Sequence, residues 1–224
     1  MSELSKKNLY LEKAVQALYS DSIPPMRDEN EILITGDRLR RSRLYVPGNQ
    51  PKKILKAGTY SPDCIILDLE DSVPQKEKDN ARIIVRNALR MVDFNGAEKM
   101  VRINSNDTGM IDLEFIIAQN VHVILIPKVE SSDQIIRFVK KINELLKVCG
   151  RREPVFIIPI IESAHGVLNA LEIAKSSPNI IGLTIGLEDY TADLGINKTI
   201  TGEESFFARS MVLHAAKATG IQAL

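Results

Sequence analysis

The run IIPIIESAHG, residues 157–166, is as apolar as a buried strand until it reaches the carboxylate of Glu162. The run IIGLTIGLED, residues 180–189, follows the same course and ends on Glu188 and Asp189. Carboxylates at the ends of adjacent strands repel, and one must hold a proton unless a cation sits between them. Two carboxylates with room left for water and substrate oxygens suit Mg²⁺, which keeps part of its hydration shell. Zinc would bring histidine or cysteine, and His122, His165 and His214 have no metal-ligand spacing. Another reading of the same two acids is a place at a helix N-terminus, where a carboxylate caps or offsets the dipole; it suits Asp189 better than Glu162.

Arg102, in MVRIN, stands between strand apolars and the polar loop NSNDTG. A guanidinium at a strand end can grip a carboxylate through two parallel hydrogen bonds, which a keto acid beside a metal requires. An internal ion pair with Asp68 or Glu70 would use Arg102 equally well, and the two readings are compatible. In LDLED, residues 67–71, alternation puts Asp68 and Glu70 on one face and Leu67 and Leu69 on the other. A consistent set has Asp68 orienting Arg102 and Glu70 holding a metal-bound water. Lys128 and Glu130 read equally well as a structural pair at the rim.

These residues need a frame that gathers them. After a leader, residues 1–38, short apolar runs alternate with helical ones: RLYVPG, CIILDLE, KMVRIN, VHVILIPK, PVFIIPIIE and IIGLTIG each precede a helical stretch, giving six βα units. Strands apolar throughout, each followed by a helix, indicate a parallel sheet covered by helices. Polar residues fall at successive strand ends (Asp68 and Glu70, Arg102 and Asn104, Lys128 and Glu130, Glu162, Asp189), and a barrel converges all its strand ends on one mouth. No GxGxxG follows the first strand, which weakens a dinucleotide-binding alternative. The expected fold is therefore an α/β, TIM (β/α)8-type barrel. Residues 39–224 fall short of the ~200 that a full barrel needs, and GIQAL reads as the start of a seventh strand. The expectation is a barrel truncated after about six βα units, with an N-terminal helical extension.

Twenty-nine basic and twenty-nine acidic residues cancel, so no overall field favours nucleic acid or an anionic membrane. No apolar run reaches the ~18 residues of a membrane span, and MSELSKKNLYLEK has no signal-peptide core. A cytoplasmic protein is expected. Cys64 and Cys149, far apart and in or beside apolar segments, read as reduced buried thiols.

Six collinear strings, LRRSRLYVPGN, CIILDLEDSVPQKEKDNAR, MVRINSNDT, VILIPKVES, IIPIIESAHGVLNALEIA and IGLEDYTADLG, resemble the citrate lyase beta-subunit (citryl-CoA lyase) family of the HpcH/HpaI aldolase superfamily. The resemblance implies a Mg²⁺-dependent carbon–carbon lyase acting between an acyl-CoA enolate and a 2-keto acid. By motif position it places metal ligands on Glu162 and Asp189, the substrate-carboxylate arginine on Arg102, and the acidic motif on Asp68, Glu70 and Asp71. It puts the basic run Arg40, Arg41 and Arg43 near the CoA end of the site, with Arg41 as a substrate-binding residue; a solvated basic cluster is the other reading. Malyl-CoA, citramalyl-CoA and methylmalyl-CoA lyases and malate-synthase-like enzymes use the same metal and arginine. A catalytically silent CoA-ester-binding relative, or a scaffold in a lyase complex, is a reading of a different class. Such proteins carry two further strands and a helical lid after the segment matching AAKATGI. The expectation is thus a homo-oligomer whose barrel gap is covered by another copy or filled by the leader, whose stretch NLYLEKAVQALY has helical apolar spacing.

Overall fold

The computed structural model describes residues 3–27 and 37–224. Seven parallel strands lie side by side in chain order: β1 (Arg43–Pro47), β2 (Cys64–Asp68), β3 (Glu98–Arg102), β4 (Val123–Ile126), β5 (Phe156–Ile161), β6 (Gly182–Ile185) and β7 (Gln222–Ala223). Strict chain order leaves no point at which the sheet reverses direction, as a doubly wound sheet would require. The architecture is that of an incomplete TIM-like barrel, with β1 and β7 unpaired with each other among the described residues. GIQAL supplies β7, so the sheet has one strand more than the six complete βα units.

The helices are α1 (Glu3–Leu18), α2 (Pro51–Ala57), α3 (Lys78–Met91), α4 (Asn106–Ile116), α5 (Ser132–Cys149), α6 (Ala164–Leu168), α7 (Ala170–Lys175), α8 (Leu187–Asp193) and α9 (Phe206–Ala218). The helical stretch that follows β5 is split at Asn169, whose side-chain amide donates to the Glu130 carbonyl at 2.8 Å. The short α8 follows β6 almost directly, a helix that periodicity over seven residues does not reveal.

Alternation along the strands divides the core in two. Cys64, Ile66, Met100, Val123, Leu125, Ile158 and Ile160 form an inner cluster, while Ile65, Leu67, Val101, Ile124, Ile126, Ile157 and Ile161 join the larger cluster under the helices. At the strand-start end the inner layer is sealed by a buried pair in which Arg40 donates to both oxygens of Glu98 at 2.7 and 2.8 Å. Arg40 also donates to Gln222 of β7 at 2.8 Å, which draws the two edges of the sheet together there. Nearby, burial pushes His122 down to about 3, and its neutral Nδ1 accepts from the Lys99 N–H at 3.0 Å. Both cysteines are free; Cys64 is buried as expected, but Cys149 is exposed because α5 ends there on Gly150 in a left-handed turn, φ 71. No helix among the described residues is long and apolar enough to cross a membrane.

Helix α1 packs on α2 and α3, with Leu18 fully buried in the helix-side core. Part of the leader therefore covers the outer helical layer instead of filling the gap between β1 and β7. The reason lies on α3, where Lys78, Arg82, Arg86 and Arg90 recur every four residues and so share one face. Arg86 donates to the carbonyls of Ser20 and Asp21 at 3.0 Å each, and Arg90 donates to that of Pro24. Beside them the fully buried Asn87 amide donates to Ser20 and Leu18 carbonyls at 2.8 and 3.2 Å. Asn87→Ala leaves Ser20 with its Arg86 donor but takes from the buried Leu18 carbonyl its bond to this amide, and about 1–3 kcal/mol of stability should be lost. Urea denaturation monitored by circular dichroism measures it; an unchanged midpoint would show that the leader contributes nothing through this contact.

Candidate functional site

The strand ends carry the chemistry because the registers bring acid and base face to face. Asp68 ends β2 directly opposite Arg102 at the end of β3. Arg102 donates from Nε and Nη2 to the two oxygens of Asp68, both at 2.7 Å, the parallel two-bond geometry of a guanidinium on a carboxylate. Asp68 further accepts from the N–H groups of Glu70 at 3.0 Å and Ser72 at 3.2 Å. Burial disfavours its charged form, but the Arg102 bonds outweigh burial and hold the carboxyl below its usual range. The guanidinium carbon also lies 5.3 Å from the centroid of the Tyr45 ring.

Glu70 sits one turn of chain further on. Its Oε1 accepts from Lys128 Nζ at 2.7 Å, and its buried Oε2 has no hydrogen-bond partner although Arg102 Nη1 is 3.1 Å away. Burial raises its pKa against the pull of Lys128 and Arg102. The turn that carries Glu70 is held from below: Lys78 Nζ donates to the carbonyls of Leu69 and Glu70 at 2.7 and 2.6 Å. Asn104 Nδ2 donates to the Leu69 carbonyl at 2.9 Å and to Asp112 at 2.8 Å, and Arg82 Nε donates to the same fully buried Asp112 at 2.6 Å.

Glu162 follows β5 and is 5% exposed. Its Oε2 accepts from the main-chain N–H of Lys128 at 2.7 Å. Burial, reinforced by the charges of Glu70 and Asp189, pushes the carboxyl up to about 7, with the Lys128 N–H opposing. Asp189 lies in the first turn of α8, whose N-cap is Gly186. A Cβ on Gly186 would stand 2.4 Å from Glu162 Oε1, so a side chain at this position would push the Glu162 carboxyl from its place. The other acid of that turn, Glu188, is taken by Lys198.

Glu162 and Asp189 line a cleft of ≈ 360 Å³ together with Lys128, Glu130, Asp193 and the neutral Ser105, Asn106, Gln134 and Ser163. Glu130 accepts from Ser163 Oγ at 2.6 Å and does not pair with Lys128, whose ammonium goes to Glu70 and, at 3.5 Å, to Asp71. The rim pair read from sequence is thus replaced by a longer bridge. The structure brings Asp68, Glu70 and Arg102 into one network, and Glu162 and Asp189 into one cleft; Lys128 joins the two.

Arg41 stands elsewhere. It precedes β1 and donates from Nε and Nη2 to Asp63 at 3.0 and 2.8 Å, on the side where the strands begin. A five-residue parallel strand separates its two ends by roughly 17 Å, so Arg41 does not line the cleft and its expected place in the site is corrected. Sequence reasoning passed over Lys78, Asp112 and the bridging role of Lys128. Lys78 and Arg82 were discoverable as charges on a helix face that also carries Ala81, Val85 and Leu89.

The donor set fits a hard divalent cation. No group of three or more potential ligands stands together among the described residues, so an all-protein cage is absent. Two carboxylates beside an open cleft, one of them lifted by burial and in need of positive charge, match the way Mg²⁺ is held.

The chain matches the family model described as HpcH/HpaI aldolase/citrate lyase over residues 41–224. It is 40% identical over 195 residues to the citrate lyase subunit beta of Leuconostoc mesenteroides subsp. cremoris, covering 85% of this chain and 64% of that one. It is 36% identical to a mitochondrial citramalyl-CoA lyase of Mus musculus, covering 83% and 58%. Among solved structures it resembles a citrate lyase beta subunit of M. tuberculosis complexed with oxaloacetate and magnesium, at TM-score 0.64 and 30% identity over 82% of this chain and 79% of that one. The chain therefore spans somewhat less than two thirds of the length of the curated relatives it matches.

Gly186→Ala should displace the Glu162 carboxyl, and if Glu162 holds Mg²⁺ the ion should then bind ~10-fold or more weakly, since moving a group that sets a ligand's position typically costs that much. Isothermal titration of both proteins checks it, and equal affinity would show that Mg²⁺ binding does not need the carboxyl in this place.

Proposed function

Because the chain belongs to the HpcH/HpaI aldolase/citrate lyase family, we propose that it is a Mg²⁺-dependent carbon–carbon lyase. Its substrate in this reading is a citryl-CoA-like 3-hydroxy-3-carboxyacyl thioester, cleaved to acetyl-CoA and a 2-keto acid such as oxaloacetate. The observation that carries the proposal is the cleft lined by both the buried Glu162 and Asp189, joined through Lys128 to the Arg102, Asp68 and Glu70 network. Relatives whose names include oxaloacetate, magnesium and coenzyme A support it. Glu162 and Asp189 are the proposed metal ligands, and bound there Mg²⁺ would polarise the substrate's oxygens as a Lewis acid.

The chain's own residues do the rest. Arg102, oriented by Asp68, presents its charge toward the keto-acid carboxylate, and Glu70, whose buried Oε2 has no hydrogen bond of its own, is the group that takes a water or hydroxyl proton once a ligand opens the network. The hydroxyl proton passes to a base in the cleft, and the hydroxyl oxygen becomes the keto carbonyl. The electron pair of the broken carbon–carbon bond leaves on the α-carbon of the thioester as an enolate, and protonation of that carbon by water completes acetyl-CoA. Residues 1–38 form an extension and residues 39–224 the lyase-like domain, working in the cytoplasm as a homo-oligomer. A citramalyl-CoA lyase, releasing pyruvate, is the second reading, favoured by the similarity to the mouse enzyme. Release of acetyl-CoA with oxaloacetate from citryl-CoA, or with pyruvate from citramalyl-CoA, in a coupled assay of the purified protein separates the two. Metal binding with neither product would refute the lyase reading.

Glu162 gives a pH test with a definite sign. Its folded pKa is raised, so without metal its contribution to stability is full below the ordinary carboxylate range and is lost as pH rises through about 7. A cation competes with that proton, so Mg²⁺ affinity should rise over the same interval and level off above it. Glu162→Gln should flatten the Tm profile of the metal-free protein and weaken Mg²⁺ by ~10-fold or more. A parent protein whose Mg²⁺ affinity does not change between pH 6 and pH 8 would remove Glu162 from the metal site. Arg102→Lys should lose keto-acid affinity because an ammonium cannot reproduce the planar fork; equal oxaloacetate affinity in titrations of the two proteins would refute that role.

A further inference from the structure

We propose that Lys128 is a positioning residue working at both ends, its main-chain N–H placing Glu162 and its ammonium placing Glu70. Three independent observations point to it. Its backbone is left-handed, φ 54, a conformation unfavourable to a residue with a Cβ, and in this conformation the N–H reaches Glu162 at 2.7 Å. Its Nζ reaches Glu70 at 2.7 Å and Asp71 at 3.5 Å, which engages two of the ammonium's three donors. Among the described residues lining the cleft it alone carries positive charge, beside Glu130, Glu162, Asp189 and Asp193, and its side chain is 43% exposed.

The inference rests on the reading of the cleft as a metal and keto-acid site, and it divides the work between the ligands. A cation entering at Glu162 and Asp189 is opposed by the ammonium, whereas an anionic keto acid is attracted by it and would be repelled by an unneutralised Glu70. Removing the ammonium therefore moves the two affinities in opposite directions, while a merely structural role would loosen both.

Lys128→Met removes the ammonium, Lys128→Gly removes it while easing the left-handed backbone, and Lys128→Arg restores the charge. Isothermal titration with Mg²⁺, then with oxaloacetate at saturating Mg²⁺, reads each, with thermal denaturation confirming folding. Lys128→Met and Lys128→Gly should hold Mg²⁺ ~3-fold tighter than the parent and oxaloacetate ~10-fold or more weaker, with Lys128→Arg close to the parent. Lys128→Val, whose branched Cβ resists a positive φ, should in addition weaken Mg²⁺ by ~10-fold or more through the lost N–H to Glu162. Joint loss of both ligands in Lys128→Gly, or no change in either, overturns the proposal and leaves the lyase reading standing. A parent protein that binds neither ligand overturns both.

Discussion

Four carboxylates brought to one end of a parallel sheet repel one another, and the structure around them is arranged to make that tolerable. Asp68 is neutralised by Arg102 across the β2–β3 register, Glu70 by Lys128, and Asp189 stays half-exposed in the first turn of α8. Glu162 is left with a single main-chain N–H and a carboxyl lifted by burial. The imbalance is local and lies beside the cleft. A protein whose formal charge is zero thus holds a concentrated, incompletely compensated acidity at one point of its fold.

Geometry keeps this charge from dispersing. The inner cluster, from Cys64 through Ile66 and Met100 to Leu125 and Ile158, packs below the acids, and the Arg40 and Glu98 pair closes the far end. The acids cannot sink into the sheet without meeting apolar atoms. The turn after β2 is fixed by Lys78 and Asn104, and the Glu162 carboxyl has its room because Gly186 carries no side chain. The polar network is stiff on the Asp68 side and comparatively free at Asp189.

Much of this was legible in the residues. Strand positions follow from apolar runs bounded by polar loops, and period-two alternation puts Asp68 and Glu70 on the face away from Leu67 and Leu69, the same division that the two core clusters show. Acids at the ends of runs marked the cleft, although Asp189 also stands in the first turn of α8, where a carboxylate offsets the helix dipole. What stayed hidden depends on backbone conformation or on distant contacts. The left-handed turn at Lys128 has no signature in PK, so its partner appeared to be the neighbouring Glu130 instead of Glu70, 58 positions earlier. Arg41 was drawn toward the site by its motif, although a residue before a parallel strand belongs to the end opposite the mouth.

The stripe of cations along α3 has a consequence of another kind. Lys78, Arg86 and Arg90 grip main-chain carbonyls, and every residue offers a carbonyl whatever its side chain. The segments they hold, the turn after β2 and the stretch from Ser20 to Pro24, can therefore change sequence without losing the grip, provided the path of the chain is kept. Asp68 enjoys no such latitude, because a guanidinium fork requires a carboxylate. One helix thus holds two segments by a grip that is indifferent to their side chains, and the limit on mutational drift comes in the first from the fork on the neighbouring Asp68, whereas the second has no such limit from this helix.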